Sequence, residues 1–181
     1  IFKLDKSTIK KHTISDIIEI LDEVPQSEGL HVYLSKEFIT EIPFPYPFRS
    51  DNHTVMVVVS GIADIQLNLI NYTLEANNFI VVSPKTVIHL LGIKVPLQLI
   101  AISFTTDFAL NNNMNKNSIE AFDFFVSKNI PKLSFGQQEM ENFVTITKIL
   151  QQKNIESNEA FFGKEMVSHA FNLLMFEIAS I

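Results

Sequence analysis

Short apolar runs rich in Val and Ile recur between Phe48 and Phe104, and polar or turn-forming residues separate them. The breaks fall at Gly61, Asn71, 76–78, 83–84 and 92–96. Short strands at such regular spacing are typical of antiparallel sandwiches and barrels. No helix-length segment interrupts them to supply the crossovers that a parallel sheet requires. The pattern therefore predicts an all-β barrel in the middle of the chain.

Individual strands follow from the same pattern. They are predicted at 30–34, 38–42, 55–60, 62–69, 71–74, 79–82, 87–91 and 97–104. Apolar and polar residues alternate from Ile62 to Leu69, so Asp64, Gln66 and Asn68 share one face. That face either meets solvent or lines a polar interior. Because both faces of the other strands are apolar, the barrel could equally be hollow or packed solid.

Helical periodicity flanks the barrel. Apolar residues at i, i+3, i+4 and i+7 from Ile14 to Leu21 predict a helix that begins near Thr13 and ends near Val24, before Pro25. An Asn-rich loop is predicted at 111–117. After it, helical spacing returns at 119–126, from Ser134 to about Lys153, and from about Asn158 onward. The predicted units are an N-terminal arm and helix (1–28), the barrel (29–108) and a helical subdomain (118–181).

Composition narrows the chemistry. The 181 residues are 46% apolar and carry 20 acidic against 14 basic side chains, a net charge of −6, so a bulk attraction for nucleic acid phosphates is not expected. Cysteine is absent, which excludes disulfides, thiolate metal sites and thiol catalysis and favours a reducing cytoplasm. No apolar run approaches membrane-spanning length. Gly-rich phosphate loops and serine nucleophile motifs are missing too, so no catalytic residue is predicted.

Four segments, taken in order, resemble a known family. They are Pro47-Phe-Arg-Ser-Asp51, the strand into Gly61, Ile70-Asn-Tyr-Thr-Leu-Glu-Ala-Asn-Asn78 and Phe79-Ile-Val-Val-Ser-Pro84. The series is similar to the N-terminal regulatory domain of AraC-type transcription regulators from Bacteroides-like bacteria, and it covers about residues 38–108. The resemblance implies a cupin-like antiparallel β-barrel (a double-stranded β-helix or jelly roll) followed by a helical hairpin, a mainly β fold with appended α. It also implies a helix-turn-helix domain beyond residue 181, the only part that would bind DNA.

Four residues are candidates for ligand binding: Arg49, Asp51, His53 and His89. His89 has the spacing of the histidine in the second cupin motif, but the paired histidines and glutamate of the first motif are missing, so no metal or cofactor is predicted. Arg49 and Asp51 lie at what would be the mouth of the pocket, and their chemistry suits a sugar or a small acid. Each candidate could instead be a surface or strand residue without such a role.

Two classes of function remain open. The leading hypothesis is a non-enzymatic regulatory domain that senses a small molecule and forms a homodimer through the C-terminal helices. Those helices carry Phe122, Phe124, Phe125, Phe161 and Phe162, which are expected in the helical core or at a subunit interface. The alternative is a metal-dependent cupin enzyme, an isomerase or dioxygenase. A cyclic-nucleotide sensor is disfavoured because the phosphate-binding cassette is missing.

Overall fold

The computed structural model describes residues 9–119 and 132–181. The strands are β1 (Lys10–His12), β2 (Leu30–Leu34), β3 (Phe48–Ser50), β4 (His53–Leu67), β5 (Ile70–Glu75), β6 (Asn78–Val82), β7 (Ile88–Phe104) and β8 (Lys132–Ser134). The helices are α1 (Ile14–Ile20), α2 (Thr106–Asn111), α3 (Gln137–Glu156) and α4 (Gly163–Ala179). The predicted fold class, a cupin-like antiparallel β-barrel followed by a helical hairpin, is confirmed.

A long antiparallel ribbon of β4 and β7 forms the frame of the barrel. The two strands pair from His53 opposite Phe104 to Leu67 opposite Ile88. β2 and β3 pair with the free edge of β7, while β5 and β6 pair with the free edge of β4. The ribbon folds over, because residues from both of its halves line one internal cavity. No helix crossover links these strands, as the sequence pattern predicted.

The predicted strand break at Gly61 is wrong, because β4 runs through it. Gly61 has φ +96°, and a Cβ added there would lie 2.2 Å from the Pro96 carbonyl oxygen. The ladder slips at this point, since Ser60 pairs with Gln98 and Ile62 pairs with Val95. A bulge of this kind leaves Pro96 outside the regular pairing, where its missing N–H does no harm. Strand β7 is continuous through the predicted break at 92–96 for the same reason.

Side-chain alternation along the strands produces two apolar cores. In β4, Met56 and Val58 point into the barrel, whereas Val55 and Val57 point outward and are fully buried. The outward set packs against α3 and α4, including Phe143 and Leu150 of α3. A strand that is covered on both faces is apolar throughout, which explains why periodicity could not distinguish a hollow barrel from a solid one.

Three local predictions are corrected by the structure. The segment 38–42 contributes only an isolated bridge between Ile39 and Leu97, not a strand. Leu69, predicted as the end of a strand, belongs to the two-residue turn between β4 and β5, with φ +71° and 85% exposure. Helix α1 ends at Ile20, and Asp22 has a positive φ before the predicted end at Val24 is reached.

The C-terminal helices also begin later than predicted. Ser134 ends β8, and α3 begins at Gln137, where the Gly136 N–H donates to the Glu139 carboxylate at 2.6 Å. Helix α4 begins at Gly163, and Phe161 and Phe162 before it are 92% and 56% exposed, so they are not core residues. Of the predicted helix at 119–126 only Ile119 is among the described residues, and Phe122, Phe124 and Phe125 lie outside them. None of the described helices is long and apolar enough to cross a bilayer.

Side-chain amides attach the helical hairpin to the free edge of β2. The Gln26 amide makes both a donor and an acceptor bond with the Val32 backbone, at 2.8 and 3.1 Å. From α3, Gln151 donates to the Val32 carbonyl at 3.0 Å and Asn154 donates to the Leu30 carbonyl at 3.1 Å. These amides satisfy backbone groups that an edge strand would otherwise leave unpaired.

Candidate functional site

An apolar cavity of about 140 Å³ lies inside the barrel. Both halves of the β4–β7 ribbon contribute to its wall, with Met56 and Ile65 from β4 and Leu90 and Ala101 from β7. All but five of the described residues that line it are apolar. The polar members are Tyr33, Ser50, Thr54, Asp64 and Ser103. The interior therefore offers a small molecule dispersion contacts on nearly every side.

The N-terminal segments close the cavity. Ile17 and Leu21 on the inner face of α1 line it, as does the loop from Ile42 to Phe44. The Thr13 hydroxyl accepts the Asp16 N–H at 3.1 Å, and the Asp16 carboxylate accepts the Thr13 N–H at 2.8 Å. This capping box fixes the start of α1, and it also holds the pKa of Asp16 below its usual value. The covering helix is short, and Ile17 and Leu21 pack against the apolar core of the barrel.

One end of the cavity is polar. Thr54 and Ser103 lie opposite each other on β4 and β7, and their hydroxyl oxygens are 3.0 Å apart. The Asn52 amide donates to the Thr54 hydroxyl at 3.0 Å, and the Ser50 hydroxyl donates to the Asn52 carbonyl at 3.0 Å. Four short polar side chains thus form a connected row at the barrel end where β4 begins.

His31 lies beside this row on β2. It pairs in register with Ser103, and it shares the interior face of β2 with Tyr33, which lines the cavity. His31 is 4% exposed, and neither of its ring nitrogens has a hydrogen-bond partner. Burial lowers the pKa of His31, so the ring is neutral at physiological pH. His31 itself is not part of the cavity wall.

The structure places none of the four predicted ligand residues in the cavity wall. Arg49 is exposed on β3, opposite Lys11 of β1, on the face away from the inward-pointing Phe48 and Ser50. Asp51 is exposed in the turn after β3, where its N–H donates to the His12 carbonyl at 3.0 Å. The two side chains do not converge on the barrel interior, and a role for them in ligand binding stays a prediction.

The two predicted histidines also face away from the cavity. His53 is buried on the outer side of β4, where its ring stacks on Phe104 at 5.3 Å and its Nε2 lies 3.2 Å from the Thr106 hydroxyl. His89 is half-buried on β7, and its neighbours Ile88 and Leu90 are the residues that point inward. Their function as ligand contacts likewise stays a prediction. Within residues 9–119 and 132–181, no cluster of three or more His, Asp or Glu side chains could hold a metal ion.

Among the described residues, Asp64 is the one carboxylate in the cavity wall. It accepts a hydrogen bond from Lys94 at 2.8 Å and another from Thr73 at 2.7 Å. These bonds lower the pKa of Asp64, with Lys94 the larger influence, so the group is ionised and already paired. The predicted polar face from Asp64 to Asn68 therefore serves mainly pairing at the strand surface, and Gln66 likewise bonds Asn71 at 2.9 Å.

Sequence reasoning missed the polar end of the cavity. Thr54 and Ser103 are isolated small polar residues within apolar strands, and His31 stands between Leu30 and Val32. The sequence signal for this site was a polar residue within a strand that is otherwise apolar on both faces. Its meaning depended on knowing that positions 31, 54 and 103 occupy adjacent places on one face.

Comparisons with known proteins identify structures but no family. No protein-family model and no curated protein matches the chain. Among solved structures, a cupin protein from Bacteroides fragilis is 14% identical, with a TM-score of 0.35 over 44% of this chain and 69% of that one. A putative mannose-6-phosphate isomerase from Ralstonia eutropha is 16% identical, with a TM-score of 0.34 over 46% of this chain and 81% of that one.

One similar structure extends over the helices as well. Apo ToxT from Vibrio cholerae is 12% identical, with a TM-score of 0.45, and covers 83% of this chain. The match spans 55% of the length of ToxT. With identities and TM-scores this low, the function has to be derived from the residues of this chain.

Proposed function

We propose that this chain is the small-molecule-sensing and dimerisation domain of an AraC-type transcription regulator, and that it has no catalytic role. The observation that carries the proposal is the apolar cavity enclosed between the barrel and α1. The ordered sequence segments from Pro47 to Pro84 that resemble such regulators supply the regulatory part. DNA would be bound by another part of the regulator, since the described helices carry few cations.

The lining of the cavity determines the class of effector. The described residues of its wall supply four hydroxyl groups, from Tyr33, Ser50, Thr54 and Ser103, and one paired carboxylate, too few free polar groups to replace the hydration of a sugar. An apolar or weakly polar molecule loses little on entering. We therefore favour an apolar effector over the sugar or small acid expected from Arg49 and Asp51.

A ligand in the cavity would contact both α1 and β2. It would touch Ile17 and Leu21 of α1, and it would touch Tyr33 on β2. The residue beside Tyr33, Val32, is bonded through its carbonyl to Gln151 of α3. Occupancy can thus favour one arrangement of α1 and of the hairpin, provided that the ligand binds the two arrangements with different affinity.

Binding is tested by thermal unfolding with toluene as an apolar probe and glucose as a sugar probe. Toluene should raise the unfolding temperature and glucose should not. Ala101→Leu fills the cavity and should abolish the toluene effect, while Ala76→Leu in the exposed turn before β6 should retain it. A wild-type protein that toluene does not stabilise would overturn the sensing proposal.

Regulation is tested on the intact protein that contains this chain. Selection from a random DNA pool should enrich paired half-sites, because a dimeric regulator presents two equivalent DNA-binding units. Toluene should alter the affinity for the selected sites in the wild type but not in Ala101→Leu. Failure to enrich any sequence would refute the regulatory assignment without affecting the binding result.

The proposed dimer contact is the exposed face of α4, which we call the α4 seam. It consists of Phe162, the residue just before the helix, and of Met166, His169, Leu173 and Phe176, at alternating spacings of four and three residues. That spacing is the coiled-coil repeat, and it lies opposite the buried face that includes Phe171 and Leu174. A second copy presents the same repeat, so the seam is self-complementary about a two-fold axis.

The exposed area is sufficient for a dimer. Phe162 and Phe176 of the seam are 56% and 69% exposed, and Phe161, which adjoins the seam and would be covered with it, is 92% exposed. At about 200 Å² per phenylalanine they offer roughly 430 Å² per copy, or about 860 Å² across a two-fold contact. Met166 and Leu173, 42% and 51% exposed, bring the total above the ~1,000 Å² expected of a specific interface.

Sedimentation equilibrium tests the α4 seam. The wild type should be dimeric at micromolar concentration, and Phe176→Glu should be monomeric because the charge would be buried in the contact. Val24→Glu is the matched control, since Val24 is 79% exposed and remote in sequence from α4. A monomeric wild type, or a Phe176→Glu protein that remains dimeric, would contradict the proposed contact.

A further inference from the structure

Unpaired hydrogen-bonding groups lie in the polar row at the end of the cavity and in His31 beside it. His31, Ser103 and Thr54 are neighbours on β2, β7 and β4, and all three belong to the interior face. Directly opposed strand residues have Cβ atoms about 4.5–5.5 Å apart, so the His31 ring lies within reach of a group bound at Ser103. Both His31 nitrogens and the Asn52 side-chain oxygen lack partners, although these residues are only 4% and 0% exposed.

Buried polar atoms of this kind are rare in folded proteins, because each loses its hydration without replacement. Here three such atoms lie behind one end of the cavity, next to the Thr54 and Ser103 hydroxyls that line it, whereas His31 and Asn52 are not themselves part of the wall. A neutral imidazole offers one donor and one acceptor, and the amide oxygen of Asn52 offers a further acceptor. A single hydroxyl or carbonyl group placed there would pair with groups that the protein leaves open.

We propose that the Thr54 and Ser103 hydroxyls of this polar row, backed by the unpaired ring of His31, bind the head of a small neutral amphipathic effector that carries one hydroxyl or carbonyl group. The apolar body of the effector fills the cavity. The inference rests on the proposed sensing function and specifies the chemistry of the ligand.

Charge excludes an anionic head. No lysine or arginine among the described residues lines the cavity, and the Arg49 side chain lies on the opposite face of β3 from Ser50. The charged group in the wall is Asp64, ten positions along β4 from Thr54 and paired with Lys94 at 2.7 Å. A buried carboxylate at the polar row would therefore lack a counter-charge, which is strongly unfavourable. A neutral head incurs no such penalty.

The volume sets the size of the effector. An engineered apolar cavity of about 150 Å³ in another protein binds benzene. The cavity described above has about 140 Å³, so it suits a molecule of roughly one ring with a single short substituent. Benzyl alcohol, toluene and benzoate share that body and differ only in the head, which makes them a matched series of probes.

The experiment is a ligand titration of the purified chain, followed by amide NMR shifts, with each of the three probes. We expect benzyl alcohol to bind about five- to tenfold more tightly than toluene, which corresponds to one added neutral hydrogen bond, and benzoate to bind least. Ser103→Ala should remove most of the preference for the alcohol and leave toluene binding unchanged, because its hydroxyl lines the cavity. His31→Phe should reduce the preference, because the ring lies opposite Ser103.

Thr147→Val is the control. Thr147 is fully buried on α3 with an unpaired hydroxyl, but it does not line the cavity, so this substitution should leave the preference for the alcohol intact. Equal affinities for toluene and benzyl alcohol, a preference that survives both His31→Phe and Ser103→Ala, or tightest binding of benzoate would each overturn the head-group inference while leaving the cavity as a sensor. Binding of none of the three probes would overturn the sensing function as well.

Discussion

Asn154 provides the sharpest test of how the barrel and the helical hairpin are joined. The residue is fully buried on α3. Its amide nitrogen donates to the Gln26 side chain at 2.9 Å and to the Leu30 carbonyl at 3.1 Å, and its oxygen accepts from the Ser27 hydroxyl. Asn154→Ala removes all three bonds, so the contact between α3 and β2 should weaken markedly.

The expected loss of stability in Asn154→Ala depends on whether each former partner of Asn154 can hydrogen-bond to water instead. The Leu30 residue is fully buried, so the loss of its carbonyl partner should cost about 1–3 kcal/mol. Gln26 and Ser27 are half-buried and can turn toward water, which limits each of their losses to about 0.5–1 kcal/mol. The sum is about 3 kcal/mol. For a chain of 181 residues, this corresponds to a fall in unfolding temperature of roughly 6–12 °C.

Urea unfolding measures the change in the free energy of unfolding directly. Asn142→Ala is the matched control, because Asn142 lies on the same helix but is exposed and only accepts from Gln138. It should change stability by less than about 0.5 kcal/mol. A double-mutant cycle with Gln26→Ala should show a coupling energy of about 1 kcal/mol. Equal losses in Asn154→Ala and Asn142→Ala would refute the reasoning.

Three further predictions concern single residues. Gly61→Ala should lose more than about 2 kcal/mol in urea unfolding, because φ is +96° and the new Cβ would meet a carbonyl 2.2 Å away, whereas Gly92→Ala, with nothing within 4 Å, should change little. Without ligand, His31→Phe should raise the unfolding temperature, since it removes two unpaired buried nitrogens; a fall would show that they are satisfied. Lys94 lowers the pKa of Asp64. Its contribution to the free energy of unfolding is therefore complete above the unfolded-state pKa of ~3.9, and it disappears as pH falls through the folded-state pKa. Asp64→Asn should flatten that acid limb in urea midpoints measured from about pH 5 downward, and an unchanged limb would contradict the assignment.

The elements were largely accessible from the sequence, but two of their lengths were not. Apolar alternation and turn residues located most of the strands, and period 3.6 located the helices that follow. Gly61 and Pro96 look like ends of strands when each is considered alone. In the fold they oppose each other at one bulge. Gly61 leaves room for the Pro96 carbonyl, and the bulge leaves Pro96 outside the regular pairing. A pairing between residues 35 positions apart is not recorded in the local pattern of either strand.

The location of the candidate site was harder to predict because adjacent residues of a strand point to opposite faces of the sheet. His53 and His89 lie directly beside the inward-pointing Thr54 and Ile88, yet both face away from the cavity. Motif spacing selected His89 on β7, and both histidines lie on the face of their strand that points away from the cavity. Since β4 and β7 are apolar on both sides, their composition does not say which set of side chains points inward. Only the position of the helices against Val55 and Val57 decides it.

Strand β2 is where the cavity and the helical hairpin meet. Its side chains at 31 and 33 face the barrel interior, and those at 30 and 32 face the helical core. The backbone of Leu30 and Val32 is held along the free edge by amides of α3 and of the segment before β2. A ligand that pairs with His31 would draw on the same five-residue strand that Asn154 and Gln151 hold from the other side. Because β2 lines the cavity through Tyr33 and is bonded to α3 through its backbone, it is the part of the fold through which occupancy of the cavity would most directly alter the placement of α3.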